Sequence, residues 1–279
     1  MGWEGHVNVS ELFDLSGKVA LVSGGATGIG NMASRALLAA GANVFLFSRK
    51  EGACAAVADD LNTEGHAGQS TGFVGNVGTE EGLDAVLSKI KERTDRLNIL
   101  VNNAGVTWGS PLGSFPYSAW DKVMSVNVAG LFHLTQGLLP MLERTGTKTD
   151  PSRVINIGSV TGEREMGDQA YSYASSKAAV HHLTRILGKE LADRAITVNA
   201  LAPGPFVSRM TAFATSTDDD CDMVARQVPL GRVGTDTDIA GSVLFLAGRG
   251  GAYVTGAIIP VSGGINVMSG PSLFEHAMG

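Results

Sequence analysis

The chain has 279 residues, 44% hydrophobic and 17% charged, enough for a large buried core. A formal net charge of −6 gives no basic footprint for nucleic acid, and no run of about 18 apolar residues spans a bilayer. Residues 1–15 have neither the basic start nor the apolar run of a secretory leader, and only Cys54 and Cys221 occur, without metal-ligand spacing, so the expectation is a cytoplasmic, metal-free protein with two free thiols.

Short β-branched or aliphatic runs alternate with longer segments of helical apolar spacing, the pattern of βαβ units around a parallel sheet buried on both faces. The first predicted strand, residues 19–23, runs directly into Gly24-Gly25-Ala26-Thr27-Gly28-Ile29-Gly30, which opens a helix over 30–40. Glycines there let backbone approach a pyrophosphate, and the helix start offers free N–H groups and a positive dipole end; the alternative is a tight turn without a ligand. The second strand, 43–47, ends in Ser48-Arg49-Lys50. A carboxylate at this place takes a ribose 2′-OH, whereas an arginine fork suits a 2′-phosphate, so NADP is expected rather than NAD. A helix over 52–64, a strand over 72–75 and a helix over 80–94 follow. The strand over 99–102 then ends in Asn102-Asn103-Ala104-Gly105, at the carboxyl edge where open α/β sheets bind ligands.

One long helix is predicted over 119–144, with Asn127 inside it, and the polar run 144–152 reads as a surface loop. A strand over 153–158 leads to Ser159, 14 residues before Tyr173. The helix over 172–194 places Tyr173 and Lys177 on one face. An ammonium beside a phenol favours its ionised form, which makes a general acid/base usable near neutral pH. Tyr171 has Ser175 four residues on, not a lysine, and is expected to have no such role. A strand over 197–202, the turn from Pro203 to Ser208, a helix over 236–247 and a strand over 258–261 complete the pattern. Seven strands suit one doubly wound α/β domain over 1–279, with 1–14 and 267–279 as terminal extensions.

In this order the glycine turn, Asn102-Asn103-Ala104-Gly105, Asn127, Ser159 and the Tyr173/Lys177 pair resemble the short-chain dehydrogenase/reductase family, over roughly residues 15–266. The glycine spacing is G-x-x-x-G-x-G, which is similar to that family's and differs from the G-x-G-x-x-G of other dinucleotide folds. The resemblance implies a Rossmann-like fold, and reversible hydride transfer between NADP(H) and a carbonyl without a metal. It implies that Tyr173 is the proton donor, that Ser159 polarises the substrate oxygen, that Lys177 lowers the tyrosine pKa and contacts the ribose, and that Asn127 distorts its helix and supports a relay water. The cofactor residues it implies are Gly24, Thr27, Gly28, Ile29 and Gly30 of the turn, then Ser48 and Arg49. Asn76 and Val77 would sit beside the adenine, where the family usually begins with Asp. Asn103, Ala104 and Gly105 would form the floor, with Tyr173 and Lys177, and Pro203, Gly204, Phe206 and Ser208 would lie at the nicotinamide. Ser208 stands where the family usually has threonine, and Ser262 where it usually has aspartate.

Within the family, Trp108-Gly109 and segments 153–158 and 203–210 are most similar to rhamnolipid-pathway 3-oxoacyl reductases and their fungal relatives, which implies a 3-oxoacyl chain. Against a carrier-bound substrate, Asp218, Asp219, Asp220 and Asp222 in a candidate lid over 211–227 would repel an acidic carrier. A free or CoA-linked chain, or another small-molecule ketone, therefore stands beside it. The alternative function is nucleotide sensing on the same fold, which would not need Ser159, Tyr173 or Lys177 together. Leu131, Leu134 and Leu138, and Val180, Leu183 and Leu187, recur at helical spacing. The resemblance implies that their helices pair across a two-fold axis into a homodimer or homotetramer, the alternative being that these side chains cover the sheet.

Overall fold

The computed structural model describes residues 8–50, 52–165, 169–208 and 210–268. Its frame is one sheet of seven parallel strands: β1 (Val19–Ser23), β2 (Asn43–Ser48), β3 (Ser70–Val74), β4 (Ile99–Asn102), β5 (Ser152–Ile157), β6 (Ile196–Pro203) and β7 (Ile258–Val261). They lie in the order β3-β2-β1-β4-β5-β6-β7. The helices are α1 (Val9–Phe13), α2 (Gly28–Ala39), α3 (Ala53–Thr63), α4 (Glu80–Lys91), α5 (Tyr117–Met124), α6 (Gly130–Thr145), α7 (Tyr171–Glu190), α8 (Ala212–Thr215), α9 (Asp218–Ala225) and α10 (Asp236–Ala247).

Every residue of β1, β4, β5 and β6 is buried, because helices cover both faces. On one face Leu37 and Leu38 of α2, Leu61 of α3 and Ile239, Val243 and Leu246 of α10 share a core with Val22, Val44 and Ile155. On the other, Val86 and Ile90 of α4, Leu134 and Leu138 of α6 and Leu187 of α7 pack with Leu21, Leu100 and Val154. The chain moves outward from β1 to β3 and then returns to the other side of β1 at β4, so loops leaving the carboxyl ends of β1 and β4 diverge and open a crevice.

Four expectations are corrected. Strand β3 begins two residues before the predicted 72–75, since Ser70 and Thr71 pair with Val44 and Phe45. The helix predicted over 119–144 is two helices, α5 and α6, joined by one wider π turn at Ser125–Ala129 that contains Asn127. A π turn inserts one extra residue, and such turns concentrate at functional sites. Residues 8–13 of the expected leading extension instead form α1, whose Asn8 side chain caps Ser10 N–H at 3.2 Å, and α1 lies against α10. The rest of that extension, 1–7, and positions 269–279 of the other lie outside the described residues. Finally, Leu131, Leu134, Leu138, Val180 and Leu187 are all buried within the chain, and Leu134, Leu138 and Leu187, with Leu183 packed on them, belong to the core over the sheet. The outward residues of α6 and α7 include His133, Gln136, Ala178, His182 and Ile186.

Candidate active site

A cleft of about 500 Å³ opens at the carboxyl edge, between the loops that follow β1, β2, β4, β5 and β6. Its first wall is the glycine turn. Gly24 has φ +65° and Gly28 φ +53°, conformations that exclude ordinary side chains without strain. A Cβ on Gly24 would lie 2.9 Å from Asn103 Nδ2, and one on Gly30 would strike the Gly24 carbonyl, so the turn is as tight as backbone permits. Thr27 is the N-terminal cap of α2 yet makes no side-chain cap bond, which leaves the first N–H groups of α2 facing the cleft. Asn103 holds this turn from below: its Nδ2 donates to the carbonyls of Ser23 and Gly24 at 3.0 and 3.1 Å. The Ser23 hydroxyl, which the sequence did not single out, accepts from the N–H groups of Asn103 and Ala104 at 2.9 and 3.0 Å.

Ser48, Arg49 and Lys50 leave the end of β2 and line the same cleft, with Arg49 and Lys50 exposed and in no ion pair among the described residues. Ser48 Oγ accepts from Cys54 Sγ at 3.1 Å, and burial raises the Cys54 thiol pKa, so that thiol serves as a donor. Asn76 turns its side-chain oxygen onto Gly78 N–H at 3.0 Å, and Val77 is buried beside it. Across the cleft, Pro203 ends β6 and Gly204 N–H donates to Val261 O at 3.0 Å. Phe206 is buried there, and Ser208 Oγ lies 3.0 Å from Thr211 Oγ1. The Ser262 hydroxyl donates to Asn266 Oδ1 at 2.8 Å. A Cβ on Gly28 would be 3.1 Å from Ser208 Cβ, so the first and last loops nearly meet.

The reactive groups converge at the centre. Tyr173 and Lys177 project from the first two turns of α7, with Lys177 Nζ 5.5 Å from the Tyr173 ring centre. Lys177 is buried, donates to Ile157 O at 2.7 Å and has no carboxylate in ion-pair range among the described residues. Burial pushes its pKa down to about 8. Asn127, in the π turn, accepts from Val106 N–H at 2.8 Å and donates to Val106 O at 3.0 Å and Ser176 Oγ at 2.9 Å, so it clamps the segment after β4 to α7. Gly105 fits between: a Cβ there would be 3.4 Å from Asn127 Oδ1 and 3.7 Å from Lys177 Nζ. Ser159 follows β5, and its Oγ accepts from both the N–H and the hydroxyl of Thr161, at 3.2 and 3.0 Å. With its acceptor side used, the Ser159 proton is free to donate into the cleft. Tyr171 packs edge-on to Phe115 at 5.4 Å and lies outside the cleft lining.

The structure thus brings together sequence-predicted residues from the loops after each of β1 to β6 and from α7. Val106 also lines the cleft and carried no motif in the sequence, and Met210 and Thr211, read there only as parts of longer segments, line it too. Thr161 follows Ser159 by two residues, which is the spacing of a hydroxyl turn and was legible there. No cleft-lining residue among those described is a carboxylate, while Arg49, Lys50 and Lys177 are cations. Among the described residues no group of three or more His, Cys, Asp or Glu is placed to hold a metal, and no helix is long and apolar enough to cross a membrane.

The family model described as Enoyl-(Acyl carrier protein) reductase matches residues 24–266. The chain is 44% identical, over 91% of its length and 98% of the relative's, to the rhamnolipids biosynthesis 3-oxoacyl-[acyl-carrier-protein] reductase of Pseudomonas aeruginosa. It is 36% identical to the 3-oxoacyl-[acyl-carrier-protein] reductase FabG of Escherichia coli, over 90% of this chain and 98% of that one. Among solved structures it matches a Pseudomonas aeruginosa RhlG/NADP active-site complex with a TM-score of 0.88, at 44% identity over 92% of this chain and 99% of the other. A gluconate 5-dehydrogenase from Burkholderia cenocepacia in complex with NADP and tartrate matches with a TM-score of 0.84 at 30% identity, over 94% of this chain and all of that one. On fold, glycine turn, π turn and the Ser159, Tyr173 and Lys177 cluster, the chain belongs to the short-chain dehydrogenase/reductase family.

Proposed function

We propose that the protein is an NADPH-dependent carbonyl reductase that reversibly converts a 3-oxoacyl compound, or a similar ketone, into a secondary alcohol. The observation that carries this reading is a cleft with three cations and no described carboxylate, in which Ser159, Tyr173 and Lys177 converge. Such a donor set fits a dinucleotide with a 2′-phosphate: the glycine turn and the start of α2 suit the pyrophosphate, and Arg49 with Lys50 suits the extra phosphate. When bound, NADPH supplies the hydride that reduces the carbonyl carbon.

The chain's own groups handle the charge. Ser159 hydrogen-bonds to the substrate oxygen through its hydroxyl and keeps its proton. Tyr173 delivers a proton to that oxygen as negative charge develops on it, and Lys177 stabilises the phenolate left behind. Asn127 keeps Val106 and α7 in register, and supports resupply of the proton from solvent. The alternative of a nucleotide-sensing protein has less support, because sensing does not require all three reactive side chains in one cleft.

A 3-oxoacyl thioester is the favoured substrate class, since the relatives named above are 3-oxoacyl reductases. Exposed Asp218, Asp219 and Asp222 on α9, close in sequence to Met210 and Thr211 at the rim, disfavour docking of an acidic carrier and leave a CoA-linked or free chain in competition with it. A panel of 3-oxoacyl-CoA, carrier-bound 3-oxoacyl and simple ketone substrates, followed by NADPH absorbance, tests activity and class together. Oxidation of NADPH is expected with the thioesters. Tight NADPH binding with no turnover on any of them would instead support the sensing alternative. Two free cysteines, one of them buried, accord with a cytoplasmic setting.

Assembly into a dimer or tetramer is also proposed, with α6 and α7 as the interface. The buried leucines no longer argue for it; the support is family membership and the exposed Ile186 of α7. Light scattering at micromolar concentration is expected to give at least twice the 28.9 kDa chain mass. A monomeric mass at full activity would refute it.

A further inference from the structure

His181 is among the buried titratable groups of the described residues that the chemistry above leaves unused. His181 lies four residues beyond Lys177 on α7 and is buried beneath Ser159. Its ring fills a slot between the two glycines that flank the Ser159 segment. A Cβ on Gly158 would strike Nε2, and one on Gly162 would lie 2.9 Å from Cε1. The main-chain N–H of Ser159 donates to His181 Nε2 at 3.4 Å. A neutral imidazole that accepts at Nε2 carries its proton on Nδ1, and Nδ1 faces Glu163 Oε1 at 3.6 Å. Three charged groups act on the ring: Lys177 and Arg185 from α7, and Glu163 from the end of the turn after Ser159. Burial, followed by the two cations, pushes the His181 pKa down to about 4, so near neutral pH the ring is uncharged and Nε2 is available to accept.

We propose that His181 is a positioning residue for Ser159, its imidazole seated between Gly158 and Gly162 and fixing the Ser159 main chain so that the hydroxyl is aimed into the cleft. Thr161 holds the Ser159 oxygen from inside the turn, and His181 holds the Ser159 nitrogen from behind it. The two together leave the hydroxyl one direction in which to donate. The proposal rests on the reading of Ser159 as the donor to the substrate oxygen. It also accounts for glycine at 158, where a side chain would take the place of the ring; at 162 the Lys177 main chain, 2.8 Å from a Cβ, crowds the position as well.

The test is a double-mutant cycle on turnover of acetoacetyl-CoA, or of the best substrate from the panel, with NADPH. His181→Leu is expected to lower kcat by about 10- to 100-fold, the cost of a misplaced catalytic group, with the NADPH Kd within about twofold of wild type. His181→Gln, which returns an acceptor near the Nε2 position, is expected to restore most of the loss. In a Ser159→Ala background His181→Leu is expected to change kcat by less than about twofold, because the group it positions is gone. His181→Asn, too short to reach Ser159 N–H, replaces His181→Leu in the cycle should the leucine variant fail to fold. Independently of activity, nitrogen NMR of the imidazole at pH 7 is expected to show the Nδ1-protonated tautomer. Wild-type turnover in His181→Leu, losses that simply multiply with Ser159→Ala, or an Nε2-protonated ring would each overturn the proposal alone. Wild-type turnover in Ser159→Ala would overturn the reading of Ser159, and the proposal with it.

Discussion

Replacing Tyr173 by Phe lowers turnover by about 10²–10⁴-fold, the range of a lost general acid, while NADPH affinity stays near wild type. The ring packs in the first turns of α7 with Lys177 Nζ 5.5 Å from its centre, and phenylalanine keeps that ring while removing only the proton it delivers. Lys177 remains buried against Ile157 O, so the cleft keeps its shape. The measurement pairs steady-state kinetics with a fluorescence titration of NADPH. A Tyr173→Phe enzyme at wild-type turnover would show that another group supplies the proton.

Replacing Arg49 by Asp inverts the cofactor preference. Arg49 is exposed at the end of β2, lines the cleft and has no ion pair among the described residues, so its donors are free for a phosphate. Loss of charged hydrogen bonds of about 1.5–3 kcal/mol corresponds to an NADPH Kd raised about 10- to 100-fold, and the new carboxylate adds repulsion. The same carboxylate takes a ribose 2′-OH, which improves NADH. Titration of both cofactors into both proteins checks this, and equal wild-type dissociation constants for NADPH and NADH would sink it.

How far these expectations were legible in the sequence depended on how local their cause is. The glycine turn, the Arg49 position and the Tyr173 and Lys177 pair depend on backbone sterics and one helical turn, and the structure places all of them in one cleft. The parallel, doubly wound sheet followed from alternation of strands and helices, whereas its order β3-β2-β1-β4-β5-β6-β7 comes from the structure. The π turn left no mark on the apolar spacing, which stays helical over 119–144; only the resemblance implied a distortion at Asn127, and it lies there, where the Asn127 side chain grips Val106 across 21 positions. Likewise the spacing of Leu131, Leu134 and Leu138 fits a sheet-facing stripe as well as an interface, and only the structure shows Leu134 and Leu138 in one core with Leu100 and Val154. His181 stood at a readable offset from Lys177, yet its meaning depends on two glycines that reach it through β5 and the turn after Ser159.

Lys177 sits buried without a carboxylate neighbour among the described residues, in a cleft whose described lining holds three cations and no carboxylate. An enclosed cation with no counter-charge strains the native state, and a polyanion that binds only the folded chain relieves that strain by mass action. At a ligand concentration 100 times its dissociation constant the gain is about 2.7 kcal/mol. That is a large fraction of the margin by which ordinary domains stay folded, and proteolysis samples the opened population that this margin sets. Resistance to proteolysis is therefore expected to rise with the concentration of the dinucleotide in either redox state, since the phosphates that carry its charge are the same in both.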